Sequence, residues 1–153
     1  MMKPKNLIGL AAVVVLLAAC SAAGEMEAHE AWARPAAQGG NGAVYFLLHN
    51  HTLEDDELTG VSSDAADAVE IHESMAEPDD TMQMVMRPSI PLPAGGELKF
   101  EPGGYHLMLV GLKQDLNMGD EFKVTLHFKN HADIVMTVRV QEADGMDMEH
   151  PAP

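Results

Sequence analysis

The chain has 153 residues, a formal charge of −15 and a single cysteine. That length suits one domain, and the acidic balance argues against nucleic acid, which calls for a basic footprint, and against charge-driven docking on anionic lipid. With one cysteine no disulfide can form within the chain, so stability rests on the core, helped by any metal the fold holds.

In chain order, Lys3 and Lys5 supply a positive start, Leu7 to Leu17 form an apolar run, and Leu17-Ala18-Ala19-Cys20 follows. This is the pattern of a secretory signal, and the apolar run is short for a bilayer span. Leu17-Ala18-Ala19-Cys20 resembles the bacterial lipobox. The expectation is cleavage after Ala19, lipidation of Cys20, and membrane anchoring on the extracytoplasmic side, in the periplasm or at the cell surface. Two or three acyl chains anchor stably where one does not. Removal of residues 1–19 takes two lysines with it, leaving 134 residues and a formal charge of −17.

Residues 20–28 read as a small, acidic tether, 29–140 as the domain, and 141–153 as a polar, proline-ended, flexible tail. Within the domain short apolar runs alternate with Gly, Pro, Asn and Asp. Strands are expected at 29–34, 43–49, 57–62, 68–72, 82–87, 97–101, 105–110, 121–128 and 134–140, with a helical turn around 64–67. Phe122, Val124, Leu126 and Phe128 show the period of two most plainly. Gln38-Gly39-Gly40-Asn41-Gly42, Pro93-Ala94-Gly95-Gly96 and Pro102-Gly103-Gly104 are the turn signals. Evenly spaced strands of this kind predict an all-β antiparallel sandwich or barrel. Trp32 is expected as a core aromatic, and His49 and His51 as turn residues at a strand end.

Methionine is the unusual component: 12 in the chain, ten of them beyond the signal. Met82, Met84 and Met86 occupy alternate positions of one expected strand and so share a face. His106 and Met108 do the same on a later strand, His72 ends the strand before the methionine stripe, and Met75 follows it. A methionine stripe alone is more often packing than a site. Its combination with two histidines points to copper. Thioether sulfur is neutral and soft and selects Cu(I), imidazole suits copper, and neither is lost to disulfide formation in an oxidising compartment. Two histidines and two methionines would surround a monovalent ion with neutral donors. A blue-copper electron-transfer centre is excluded, because it needs a cysteine thiolate and Cys20 is committed to the anchor. Met146, Met148 and His150 in the tail could form a second, weaker copper site, open to Cu(II) as well, and Met26 and His29 could join in near the tether. No Ser/His/Asp arrangement, phosphate loop or catalytic carboxylate pair is found, so an enzyme is not expected.

His72 is followed after eleven residues by Met84, Met84 after 21 by His106, and Met108 comes one residue later. That spacing resembles the signature of the PCu(A)C family of periplasmic copper chaperones, whose optional methionine after the first histidine is Glu73 here. Ala31-Trp32-Ala33-Arg34-Pro35, Asn41-Gly42-Ala43-Val44-Tyr45, Met86-Arg87-Pro88 and Pro102-Gly103-Gly104-Tyr105-His106-Leu107-Met108-Leu109 also resemble that family. The segment carrying Glu77-Pro78-Asp79-Asp80 departs from it, and leaves Met82, Met84 and Met86 open as the middle ligand, with Met75 as a stand-in nearby. The resemblance implies a cupredoxin-like Greek-key β-sandwich with a surface-exposed copper site. It further implies a monomer that delivers Cu(I) to the copper-bearing subunit of a haem-copper oxidase, for its dinuclear centre, alongside a Sco-type thiol protein. Copper storage or detoxification, and a metal-free structural lipoprotein, are the competing expectations.

Overall fold

The structure, a computed structural model, describes residues 24–143. Cys20 and the tail residues Met146, Met148 and His150 lie outside the described residues, as does the signal segment. Ten strands form: β1 (Met26–Ala33), β2 (Gly42–Asn50), β3 (Asp56–Ser62), β4 (Ala66–Ala76), β5 (Met82–Met86), β6 (Ile90–Leu92), β7 (Glu97–Phe100), β8 (Tyr105–Leu112), β9 (Glu121–Phe128) and β10 (Ile134–Val140). They pair in the order β5-β4-β8-β7-β2-β1-β10-β9-β3-β6, and β8 also pairs with β2. The expected cupredoxin-like sandwich is the fold observed.

β1 joins the two halves of that order. It runs antiparallel to β2 along most of its length, and its last residues pair parallel with β10, Trp32 opposite Arg139 and Ala33 opposite Val140. Between His29 and Trp32 the register shifts, and Glu30 takes a φ of 53°. A bulge of this kind sharpens strand twist, which lets one strand serve both layers.

Alternation builds the interior. Val44, Phe46 and Leu48 of β2, Leu107 and Leu109 of β8, Val124 and Leu126 of β9, and Val138 and Val140 of β10 are buried. Phe46 stacks on Phe100 with ring centroids 4.2 Å apart. Each such side chain contributes about 1.5–3 kcal/mol through removal from water. At the far end of β2 the buried Asn50 fastens three segments together. Its amide nitrogen donates to the carbonyls of Glu54, Leu92 and Pro93 at 2.9, 3.2 and 3.1 Å. Its amide oxygen accepts from the backbone nitrogen and hydroxyl of Thr52 at 3.0 and 2.6 Å.

The structure departs from the sequence expectation in several places. β4 runs on to Ala76, so His72 lies within the strand and Met75 is part of it, and His49 is a residue of β2 rather than of a turn. β1 begins at Met26 rather than His29, and Met26 points into the core, 6% exposed, so it cannot join His29 in a surface site. Residues 64–67 hold no helical turn; a tight turn at Asp64–Ala65 leads straight into β4. β6 was not expected because it is three residues long with Pro91 at its centre. It is tolerated because β6 lies at an edge of the strand order, where a missing N–H costs little. Trp32 is half-buried on the outer face against Tyr45, ring centroids 4.7 Å apart, and is not a core residue.

Gly111 combines a close approach with a left-handed backbone. Gly111 has a φ of +67°, and a Cβ there would lie 2.7 Å from Asp67 Oδ2. Gly111→Ala therefore lowers stability by about 1–2 kcal/mol from backbone strain alone, with the Asp67 clash added, as a urea unfolding curve will read.

Candidate metal centre

Strand pairing brings the distant histidines together. In the β4–β8 ladder His72 lies directly opposite His106, and Glu70 opposite Met108. In the β4–β5 hairpin Ser74 lies opposite Met84, and His72 opposite Met86. Directly opposed residues share a face, so Met82, Met84, Met86, His72, His106 and Met108 all project from the same outer surface of β5, β4 and β8. The other face of these strands carries Ile71, Leu107 and Leu109 into the core.

Exposure grades across this surface. Met82, Met84 and Met86 are 58%, 59% and 60% exposed, Met108 is half-buried, and His106 is 4% exposed. Met84, His106 and Met108 line one open cleft of about 440 Å³, together with Arg34, Tyr45 and Ser74. Tyr45 stands beside His106 with ring centroids 6.5 Å apart. Met86 lines a separate depression with Glu70 and Arg87, and Met82 lies beyond, opposite Ala76. Alternation leaves the three methionines equivalent; the register sets Met86 directly across from His72, while Met84 shares the cleft with His106 and Met108. Met75 is corrected in the same way: it sits on the opposite face, opposite Gln83, with its sulfur 3.7 Å from an Arg87 nitrogen. It is apart from the two histidines.

The two imidazoles lie 5.8 Å apart by ring centroid. His72 Nε2 is 2.8 Å from the Glu70 carboxylate, and His106 Nδ1 is 3.2 Å from the Gly104 carbonyl oxygen. Both partners are acceptors, so these nitrogens carry the protons and donate. The remaining ring nitrogens, His72 Nδ1 and His106 Nε2, then present lone pairs. His72 Nδ1 is buried and has no hydrogen-bond partner among the described residues. A buried nitrogen lone pair with nothing to accept is costly, and imidazoles that bind metal characteristically hold their other N–H on a carboxylate or carbonyl. Were His72 and His106 to bind a metal, Glu70 and Gly104 would be placed for that outer role. Glu70 is not singled out by the sequence, although its place two residues before His72 puts both on one strand face.

Among the side chains that line the cleft, His106 is buried, Met108 half-buried and Met84 exposed. A soft monovalent ion would enter past the thioethers and meet imidazole below.

Comparison with known proteins bears on the family and the fold. The family model "Putative lipoprotein LpqE-like" matches residues 26–140. Protein RP573 of Rickettsia prowazekii is 35% identical over 115 residues; the match spans 71% of the chain and 62% of the length of RP573. Among solved structures, the copper-bound PCuAC domain from PmoF2 superposes with a TM-score of 0.65 at 24% identity, covering 80% of the chain and 97% of that domain. The solution structure of Cu(I)-DR1885 from Deinococcus radiodurans gives 0.58 at 25% identity, covering 79% of the chain and 83% of DR1885.

Proposed function

Because the chain belongs to the LpqE-like lipoprotein family and has the PCu(A)C fold, we propose that it is an extracytoplasmic Cu(I) carrier rather than an enzyme, holding one ion between His72, Met84, His106 and Met108. The observation that carries this reading is the buried, unpartnered His72 Nδ1 directly across the ladder from His106, beside a cleft lined by two thioethers. The donors are neutral, so the ion keeps its single charge and pairs with the outer Glu70 carboxylate. Met84 is favoured over Met82 and Met86 as the third donor because it alone of the three shares the cleft with His106 and Met108.

Copper is the cargo here, and exchange is part of the chemistry. Thioethers are weak donors for a soft ion and carry no proton, so an acceptor can replace them one at a time without proton movement. The exposed Met84 is the first to be replaced, and the buried imidazoles the last. In this reading Cys20 carries the lipid anchor. The acceptor is the copper-bearing subunit of a haem-copper oxidase, reached directly or with a Sco-type thiol protein, and the tail methionines with His150 supply an accessory site.

A competition titration of the apo protein against a chromophoric Cu(I) chelator tests the proposal. One tightly held ion per chain, passed on to the soluble copper-binding fragment of an oxidase subunit, is the expected result. Several ions per chain with no transfer would favour storage, for which the exposed Met82 and Met86 are the motivating feature. No competition at all would leave a structural lipoprotein.

A further inference from the structure

A second group of donors lies on the same outer surface, at the other end of β2. β1 and β2 pair with Glu27 opposite His49 and His29 opposite Leu47. Beyond that ladder the backbone nitrogen of His51 donates to the carbonyl of Glu25 at 3.1 Å, which continues the pairing by one step. Glu27, His29, His49 and His51 thus form a two-by-two patch of outward side chains. The Nε2 atoms of His29 and His51 both turn to one carboxylate oxygen, Glu27 Oε2, at 3.2 and 3.6 Å. The donor atoms of these three residues all lie within 4.8 Å of one another. His49 stacks against His51 with centroids 5.3 Å apart and an interplanar angle of 1°, and meets His29 edge-on at 5.6 Å. Its own Nε2 is held by Glu97 at 3.0 Å.

Two imidazoles sharing one exposed carboxylate would gain little as ion pairs, since pairs at the surface contribute about 0–1 kcal/mol. Their convergence from two strands onto one point is what a metal ion uses. Donors on an ion bonded at about 2.0–2.2 Å stand up to about 4 Å apart, so small rotations of these exposed side chains close the site. The bulge after His29, with Glu30 at a φ of 53°, turns β1 away immediately beyond the patch. A bulge beside a cluster of donors is a common device for aiming side chains.

The donor set differs in kind from the Met/His cleft. It has nitrogen and carboxylate oxygen and no sulfur, which suits a divalent borderline ion, and among these copper binds such donors most strongly. We infer that Glu27, His29 and His51 form a second metal site that takes Cu(II), separate from the thioether cleft. His49 marks the distance: it is four residues along β2 from Tyr45, which stands beside His106, or roughly 13 Å at strand rise. Glu27 and Glu97 supply local negative charge that favours a divalent cation.

The test uses the full chain carrying His106→Gln, Met108→Leu and His150→Gln, which removes donors of the cleft and the tail imidazole. Titration with Cu(II) is followed by electron paramagnetic resonance. The expected result is one Cu(II) per chain with nitrogen couplings, and loss of those couplings with an affinity drop of at least about tenfold when His29→Gln and His51→Gln are added. Glu27→Gln, which keeps both imidazoles, should weaken binding and leave the apo melting temperature unchanged; it serves if the double histidine change disturbs the fold. Unchanged Cu(II) spectra in both variants would overturn the inference, as would disappearance of the nitrogen couplings with the cleft changes alone. The Cu(I) titration of the cleft reads out separately, so failure of one site does not decide the other.

Discussion

Met108→Leu is expected to raise the Cu(I) dissociation constant by at least about 10–100-fold, the range lost even when an outer partner of a metal ligand is removed. The change conserves volume, so the apo protein should lose less than about 1.5 kcal/mol. His106→Ala should weaken Cu(I) at least as strongly, but at 4% exposure it also leaves a cavity, and its apo stability falls visibly. Comparing the two separates ligation from packing. Glu70→Gln gives the finer reading: an amide can still hydrogen-bond His72, but the compensating charge is gone, so affinity falls by less than it does for either ligand. Chelator competition gives the affinities and urea unfolding the stabilities. If Met108→Leu competes for Cu(I) as well as the parent, sulfur at that position is not a ligand and the four-donor arrangement fails.

Asn50→Ala should be the most damaging single change away from the cleft. The side chain makes five hydrogen bonds that bind the end of β2, the following turn and the end of β6. Each hydrogen bond has a net worth of about 0.5–1.5 kcal/mol. Alanine would therefore cost about 3–5 kcal/mol and lower the melting temperature by roughly 10–20 °C for a domain of this size. Calorimetry of the apo protein checks this. A shift within a few degrees would mean that water replaces the amide and that the segments are held by other contacts.

The parts legible in the sequence were those governed by alternation. Phe122 to Phe128 and Tyr105 to Leu109 announce both their strands and their inward faces, and His106 and Met108 fall on the outward face by the same rule. Alternation could not choose among Met82, Met84 and Met86, because it assigns all three to one face. The register of the β4–β5 hairpin, which sets Ser74 against Met84, is a property of two strands and a turn. Trp32 was misread for a related reason. The bulge near Glu30 inserts residues between His29 and Trp32, so both project outward despite their odd spacing. The Glu27, His29 and His51 patch was hidden because its members become neighbours only through pairing of β1 with β2. In the sequence each is an unremarkable polar residue at a strand end.

The hydrogen bonds that hold His72 and His106 bear on copper traffic. On the proposed ligand set, Glu70 and Gly104 already hold both rings in an orientation that suits a metal, so the centre would be preorganised and loading should alter its shape little. A receiving protein, in the proposed delivery role, could not then tell a full carrier from an empty one by conformation. Discrimination must come from the ion itself, through the charge it adds to the cleft and the bonds it offers to incoming donors. Vacant carriers should therefore compete with loaded ones for the same docking surface, and the rate of delivery will depend on the fraction loaded as well as on the total amount of protein.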